Sequence, residues 1–125
     1  MIHTGGLTHL HFAVSDLDRS LRFYQQAFGM RELFREGADM VFLQTPAGQD
    51  CITLHADPGR QLEPGKSAGI AHFGFNLTAE STVSGAIAEV EAAGGSLVSR
   101  GEHSPGAPYA YVADPDGYVI ELMGG

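Results

Sequence analysis

The strongest constraint on this chain is a pattern that occurs twice. Residues 7–14, Leu-Thr-His-Leu-His-Phe-Ala-Val, alternate, with Leu10, Phe12 and Val14 on one face of a predicted strand and His9, His11 and Ala13 on the other. Ser15 or Asp16 can then cap a helix whose stripe is Leu17, Leu21, Tyr24 and Phe28, stopped by Gly29. Three short strands follow at Arg31–Arg35, Met40–Thr45 and Cys51–His55, divided by turn-forming residues. From residue 70 the order returns. Phe73, Phe75 and Leu77 oppose His72, Gly74 and Asn76, and a helix starts around Thr78–Ser81 with Val83, Ile87 and Val90 as its stripe and Gly94-Gly95 as its stop. Strands at Leu97–Arg100, Tyr109–Ala113 and Tyr118–Met123 complete a second β-α-β-β-β unit. A duplication of this kind predicts a pseudo-twofold axis, with His9 and His72 at corresponding points.

At 125 residues the chain is one domain, with a first module over about 5–57, a connector over about 58–69 and a second module over about 70–125. The connector carries Pro58-Gly59 and Pro64-Gly65 and shows no periodicity. Fifteen acidic against seven basic residues, the latter scattered, argue against nucleic acid or an anionic membrane as partner. The single cysteine, Cys51, forms no disulfide within the chain, and no apolar run has the length of a spanning helix or the look of a signal peptide. A cytoplasmic setting is the simplest expectation.

Glu121 poses the chemical question. It lies between Ile120 and Leu122 in an apolar strand, on the face it shares with Val119 and Met123, after the turn Asp114-Pro115-Asp116-Gly117. If that face lines a cavity, the carboxylate needs a cation. His9 and His72 occupy the non-core faces of the two opening strands, so the three side chains make up two imidazoles and one carboxylate. Such a facial set suits a non-haem Fe(II) or a related divalent ion. Asp116 reads as a turn former, Cys51 as a small cavity or core residue and His55 as a surface residue at a strand end.

Taken together, His9 ahead of Ser15-Asp16-Leu17 and Phe23-Tyr24, the segment Ile70-Ala71-His72-Phe73, and Asp114-Pro115-Asp116-Gly117 through Glu121 resemble the vicinal oxygen chelate superfamily. It includes glyoxalase I, fosfomycin-resistance enzymes, bleomycin-binding proteins and extradiol dioxygenases. The resemblance covers nearly the whole chain. It implies an α+β fold of two βαβββ modules, a cupped mixed sheet around a metal cavity with helices outside, and metal ligands His9, His72 and Glu121. Fe(II) or Mn(II) is favoured, with Zn(II) or Ni(II) as alternatives, and a homodimer is implied, its modules either pairing within one chain or swapping between chains, small relatives often having the metal site at the dimer interface.

Glyoxalase I places a fourth ligand where this chain has Thr53, a poor ligand, which points to the three-ligand branches. The run from Gly101-Glu102-His103 through Tyr111 to Glu121 resembles the extradiol dioxygenase signature, though Ala110 stands where a bulkier apolar residue is usual, and the further histidine of those enzymes is missing near Asp50 or Cys51. His55 and His11 are possible substitutes. The resemblance therefore implies oxidation of a small aromatic diol, with Tyr111 as hydrogen-bond donor and His103 or His11 moving a proton. The alternatives are a glyoxalase-type lyase or isomerase, a transferase like the fosfomycin-resistance enzymes, and a drug-binding protein without catalysis. The small-molecule pocket is expected to be walled by Met40, Phe42, Gln44, Asn76 and Met123.

Overall fold

A computed structural model of the protein describes residues 1–59 and 69–124. Most of the expected connector, residues 60–68, lies outside the described residues. The first module runs β1 (Leu10–Val14), α1 (Leu17–Phe28), β2 (Arg31–Glu36), β3 (Met40–Gln44) and β4 (Ile52–Ala56). The second runs β5 (Phe73–Leu77), α2 (Val83–Ala92), β6 (Ser96–Glu102), β7 (Pro108–Ala113) and β8 (Val119–Gly124). The expected βαβββ duplication is therefore present. Each module closes its own four-stranded sheet, in the orders β1-β4-β3-β2 and β5-β8-β7-β6. In both, the helical crossover leaves the first and last strands parallel, while the hairpins are antiparallel. Both outer strands, β2 and β6, also shift register at the same place, between Glu32 and Phe34 and between Leu97 and Ser99. Such irregularities twist an exposed edge away from further pairing.

The opening strands are shorter than the alternation suggests. His9 and His72 fall just ahead of β1 and β5 rather than within them. Asp16 caps α1 by accepting a hydrogen bond from the Arg19 amide at 3.1 Å, and Gly29 ends it in the left-handed conformation, φ +63°. The second helix begins later than expected. Residues Thr78–Ser81 close a turn of their own, Ser81 N to Thr78 O at 3.1 Å, and the cap passes to Thr82, whose hydroxyl accepts from Gly85 N at 3.0 Å. Gly95 is demanded by packing, since a Cβ there would stand 2.5 Å from the Ala113 carbonyl oxygen and 2.7 Å from both Phe23 and Val90.

The core lies between the sheets and the two helices, with Val14, Phe23, Tyr24, Leu54, Ile120 and Leu122 completely buried. Each such side chain contributes roughly 1.5–3 kcal/mol. Aromatic contacts carry the core from one module to the other: Phe12 meets Tyr118 at 4.5 Å between ring centroids, and Phe28 stacks on Phe75 at 4.4 Å.

The turn after β7 does more than reverse the chain, which corrects the reading of Asp116 as a turn former. Asp116 is buried and accepts hydrogen bonds from the Ser15 amide (3.2 Å), the Ser15 hydroxyl, Arg19 Nη2 (3.1 Å) and the Ser20 hydroxyl (3.2 Å). The Ser15 and Ser20 groups and Arg19 all lie at the start of α1, where the helix dipole also favours a negative charge. Its neighbour Asp114 accepts from Tyr24 Oη at 2.7 Å, and Tyr118 Oη donates to the Ala13 carbonyl at 2.7 Å. The second module therefore grips the first through its last turn.

Candidate metal and substrate site

Register in the second sheet sets the site. Glu121 on β8 lies opposite Gly74 on β5 and Tyr111 on β7, so all three share one face. On the other face Ile120 and Leu122 are in the core, which leaves Glu121 as a carboxylate only 8% exposed. A group so placed needs partners. His72 Nε2 lies 3.2 Å from Glu121 Oε2, and His103 Nε2 lies 2.6 Å from Oε1. Tyr111 presents its ring to His72 edge to face, with centroids 5.0 Å apart. The Tyr111 phenol is raised above its ordinary value, first by desolvation and then by the negative charge of Glu121. It keeps its proton through neutral pH and remains a donor.

Two of the three ligands expected from the sequence thus come together. Ligands about 2.1 Å from one ion and at right angles to each other stand about 3 Å apart, and the His72–Glu121 separation matches that value. The chemistry of imidazole plus carboxylate fits a divalent ion, for which His72 would give up its Nε2 proton. His9 stands elsewhere. It is exposed, its Nδ1 is hydrogen-bonded to the Thr8 hydroxyl at 2.7 Å, and it borders a different depression, beside Cys51 and Gly74. Among the described residues no three His, Cys, Asp or Glu side chains are grouped so as to hold a metal ion. The separation arises because β1 and β5 are edges of two different sheets, and the modules meet through Phe12, Tyr118 and the Asp114–Gly117 turn instead.

The remaining expected residues divide. His11 is exposed on β1, but its Nε2 is 2.8 Å from His55 Nδ1, so His55 is a partner rather than an idle surface residue. This pair lines a cavity of about 300 Å³ together with His72, Phe73 and Tyr118. Thr53 is buried, its hydroxyl 3.9 Å from Cys51 Sγ. Cys51 itself is half-buried. Asn76, expected in the pocket wall, borders a separate cleft with Phe28 and Thr82. His103 belongs to an exposed turn, yet its ring is engaged with Glu121 and stacks on Tyr109 at 4.2 Å. Sequence reasoning missed Tyr109. The available signal was its spacing of two from Tyr111, which puts both on the face of Glu121.

No described helix is long and apolar enough to cross a membrane. The family model of the glyoxalase/bleomycin resistance protein/dioxygenase superfamily matches residues 6–122. An uncharacterised protein of Pseudomonas aeruginosa is 32% identical over 95% of this chain and 88% of its own length. The glutathione transferase FosA of Serratia marcescens is 31% identical over 93% of this chain and 78% of its own. A crystal structure of a glyoxalase-related enzyme from Fulvimarina pelagi superposes with a TM-score of 0.75 at 25% identity, covering 96% of this chain and 88% of that one.

Proposed function

The chain belongs to the glyoxalase/bleomycin resistance protein/dioxygenase superfamily, and on that premise we propose that it is a divalent-metal-dependent enzyme whose small-molecule substrate offers two adjacent oxygens. His72 and Glu121 of one chain would hold the ion together with His9 of a second copy, in a homodimer. The observation that carries this reading is the nearly buried Glu121 carboxylate beside His72, with His9 left exposed and apart in the same chain. A second copy can supply what one chain separates. Fe(II) or Mn(II) is favoured by the donor set, with Zn(II) and Ni(II) as alternatives. Bound there, a divalent ion supplies Lewis-acid polarisation of the substrate oxygens.

The chain's own residues do the rest. Tyr111, protonated at neutral pH, donates a hydrogen bond to a substrate oxygen. His11 shares one hydrogen with His55, so the neutral pair offers one further donor and one further acceptor to its cavity, and we assign it the movement of a substrate proton. This chemistry serves a lyase, an isomerase or a transferase, and the similarity to a glutathione transferase supports the last of these. A second reading, dioxygenation of a small aromatic diol, is favoured by one feature: His72, Tyr111, Tyr109 and His103 form a continuous wall of rings beside Glu121, suited to a planar substrate.

The test is complementation. His9→Ala and Glu121→Ala variants, separately unable to retain metal, are mixed, refolded together and measured for bound metal and mass. Under this proposal the mixed dimer regains one intact site of two, because the two lesions fall in the same half. A mixture that stays metal-free while the wild type binds metal refutes the two-chain site. Wild-type protein that holds no divalent ion after anaerobic purification removes the enzyme reading. Oxygen uptake with catechols then separates the two chemistries.

A further inference from the structure

We infer that His103 is a positioning residue for the Glu121 carboxylate, and that Gly101 and Tyr109 exist in their present form to hold it there; the inference rests on the metal reading proposed above. An ionised carboxylate accepts hydrogen bonds only, so the 2.6 Å contact requires the hydrogen to sit on His103 Nε2 and to point at Glu121 Oε1. With that oxygen engaged, the carboxylate is turned so that Oε2 faces His72 Nε2, 3.2 Å away. His103 thereby selects which oxygen is offered as a ligand. A carboxylate ligand held by an outer partner in this way typically loses about 10–100-fold in metal affinity when the partner is removed.

His103 needs support of its own, because its side chain is half exposed and belongs to a turn. The turn is closed by His103 N to Ala107 O at 3.0 Å and Ala107 N to Ser104 O at 2.9 Å. The imidazole then lies flat on the Tyr109 ring, with centroids 4.2 Å apart and planes inclined by 19°. Tyr109 is paired in register with Gly101 across β6 and β7. The glycine is what admits the ring, since a Cβ there would lie 3.0 Å from Tyr109 Oη and 3.2 Å from two ring carbons. Glycine, tyrosine, histidine and glutamate therefore form a line of contacts that ends on one carboxylate oxygen. A histidine serving only as an exposed turn residue would need neither the flat tyrosine beneath it nor the glycine beneath the tyrosine.

The experiment titrates the full-length protein with Mn(II), read by electron paramagnetic resonance, and compares the visible absorption of the Co(II)-loaded forms. His103→Ala should weaken Mn(II) binding by about 10-fold or more and alter the Co(II) bands, while the far-ultraviolet circular dichroism of the metal-free protein shows the fold retained. His103→Gln, whose amide can donate to Oε1, should recover most of the affinity. Gly101→Ala should shift affinity in the same direction as His103→Ala but less, by displacing the Tyr109 ring. Wild-type affinity in His103→Ala overturns the inference and leaves the metal reading standing. Wild-type protein that binds no Mn(II) overturns both.

Discussion

Asp114 is 4% exposed and carries a charge at neutral pH in the middle of the join between the modules. Its Oδ1 accepts from the backbone amides of Asp116 and Tyr118, both at 2.9 Å, and its Oδ2 accepts from Tyr24 Oη at 2.7 Å. Those bonds favour the ionised form, but burial outweighs them and pushes the carboxyl from 3.8 up to about 6. The folded protein thus holds this proton more tightly than the unfolded chain. The stability that results is fully present below pH 3.8 and is lost as pH rises through about 6. That displacement corresponds to about 3 kcal/mol. Asp114→Asn fixes the neutral form: its Oδ1 can still accept both amides, and its NH₂ can donate to Tyr24 Oη. Urea unfolding of the two proteins between pH 4 and pH 8 should therefore diverge, with the variant gaining about 2.4 kcal/mol on the wild type across that range at equal m-value, the rest of the displacement lying below pH 4. Other titrating groups are common to both proteins and largely cancel. Two parallel stability curves, or an Asp114 carboxyl resonance titrating near its ordinary value, would refute the reasoning.

Removing the neighbouring carboxylate should cost more at every pH. Asp116→Ala strands the Ser15 and Ser20 donors, and the loss should be about 3 kcal/mol by denaturant titration, at the lower end for a buried pair because Arg19 is 42% exposed and can rehydrate. Gly95→Ala should destabilise by about 3 kcal/mol or fail to accumulate, since the new methyl collides with backbone and two core side chains at once; a melting temperature within a degree of wild type would contradict the packing. Tyr111→Phe should keep metal content while lowering turnover by about 10-fold, measured once a substrate is in hand, because it deletes a donor and leaves the ring against His72.

The periodic parts of the chain were readable because burial writes itself into local alternation. Leu10, Phe12 and Val14, or Ile120 and Leu122, announce which face is core, and Glu121 stands out because it breaks an otherwise apolar strand. Helix ends were readable to within the competition between caps: Thr82 beats Thr78 because Thr78–Ser81 are spent on their own turn. What the alternation cannot encode is contact between distant segments. Asp116 reads as a turn residue since its partners, Ser15 through Ser20, are about a hundred positions away and are ordinary helix-start residues. The contact of His103 with Glu121 is hidden for a similar reason, its ring contacts being set by the β6–β7 and β7–β8 registers. His9 and His72 are equivalent in the repeat, but equivalence says nothing about whether two modules of one chain bring them together.

The grip of the last turn on the first helix also bears on how the protein is made. Ser15, Ser20 and Tyr24 find their partners only when residues 114–116 exist, so the opening helix cannot be locked in place while the chain is still emerging through its middle. Contacts spanning most of the chain are closed late and slowly. Until then the first module must wait with Ser15, Arg19 and Ser20 unpaired to Asp116 and its Phe12 without Tyr118, exposing apolar surface to whatever is nearby. Nascent chains stalled short of Asp114 should therefore be the stage at which this protein most depends on a chaperone.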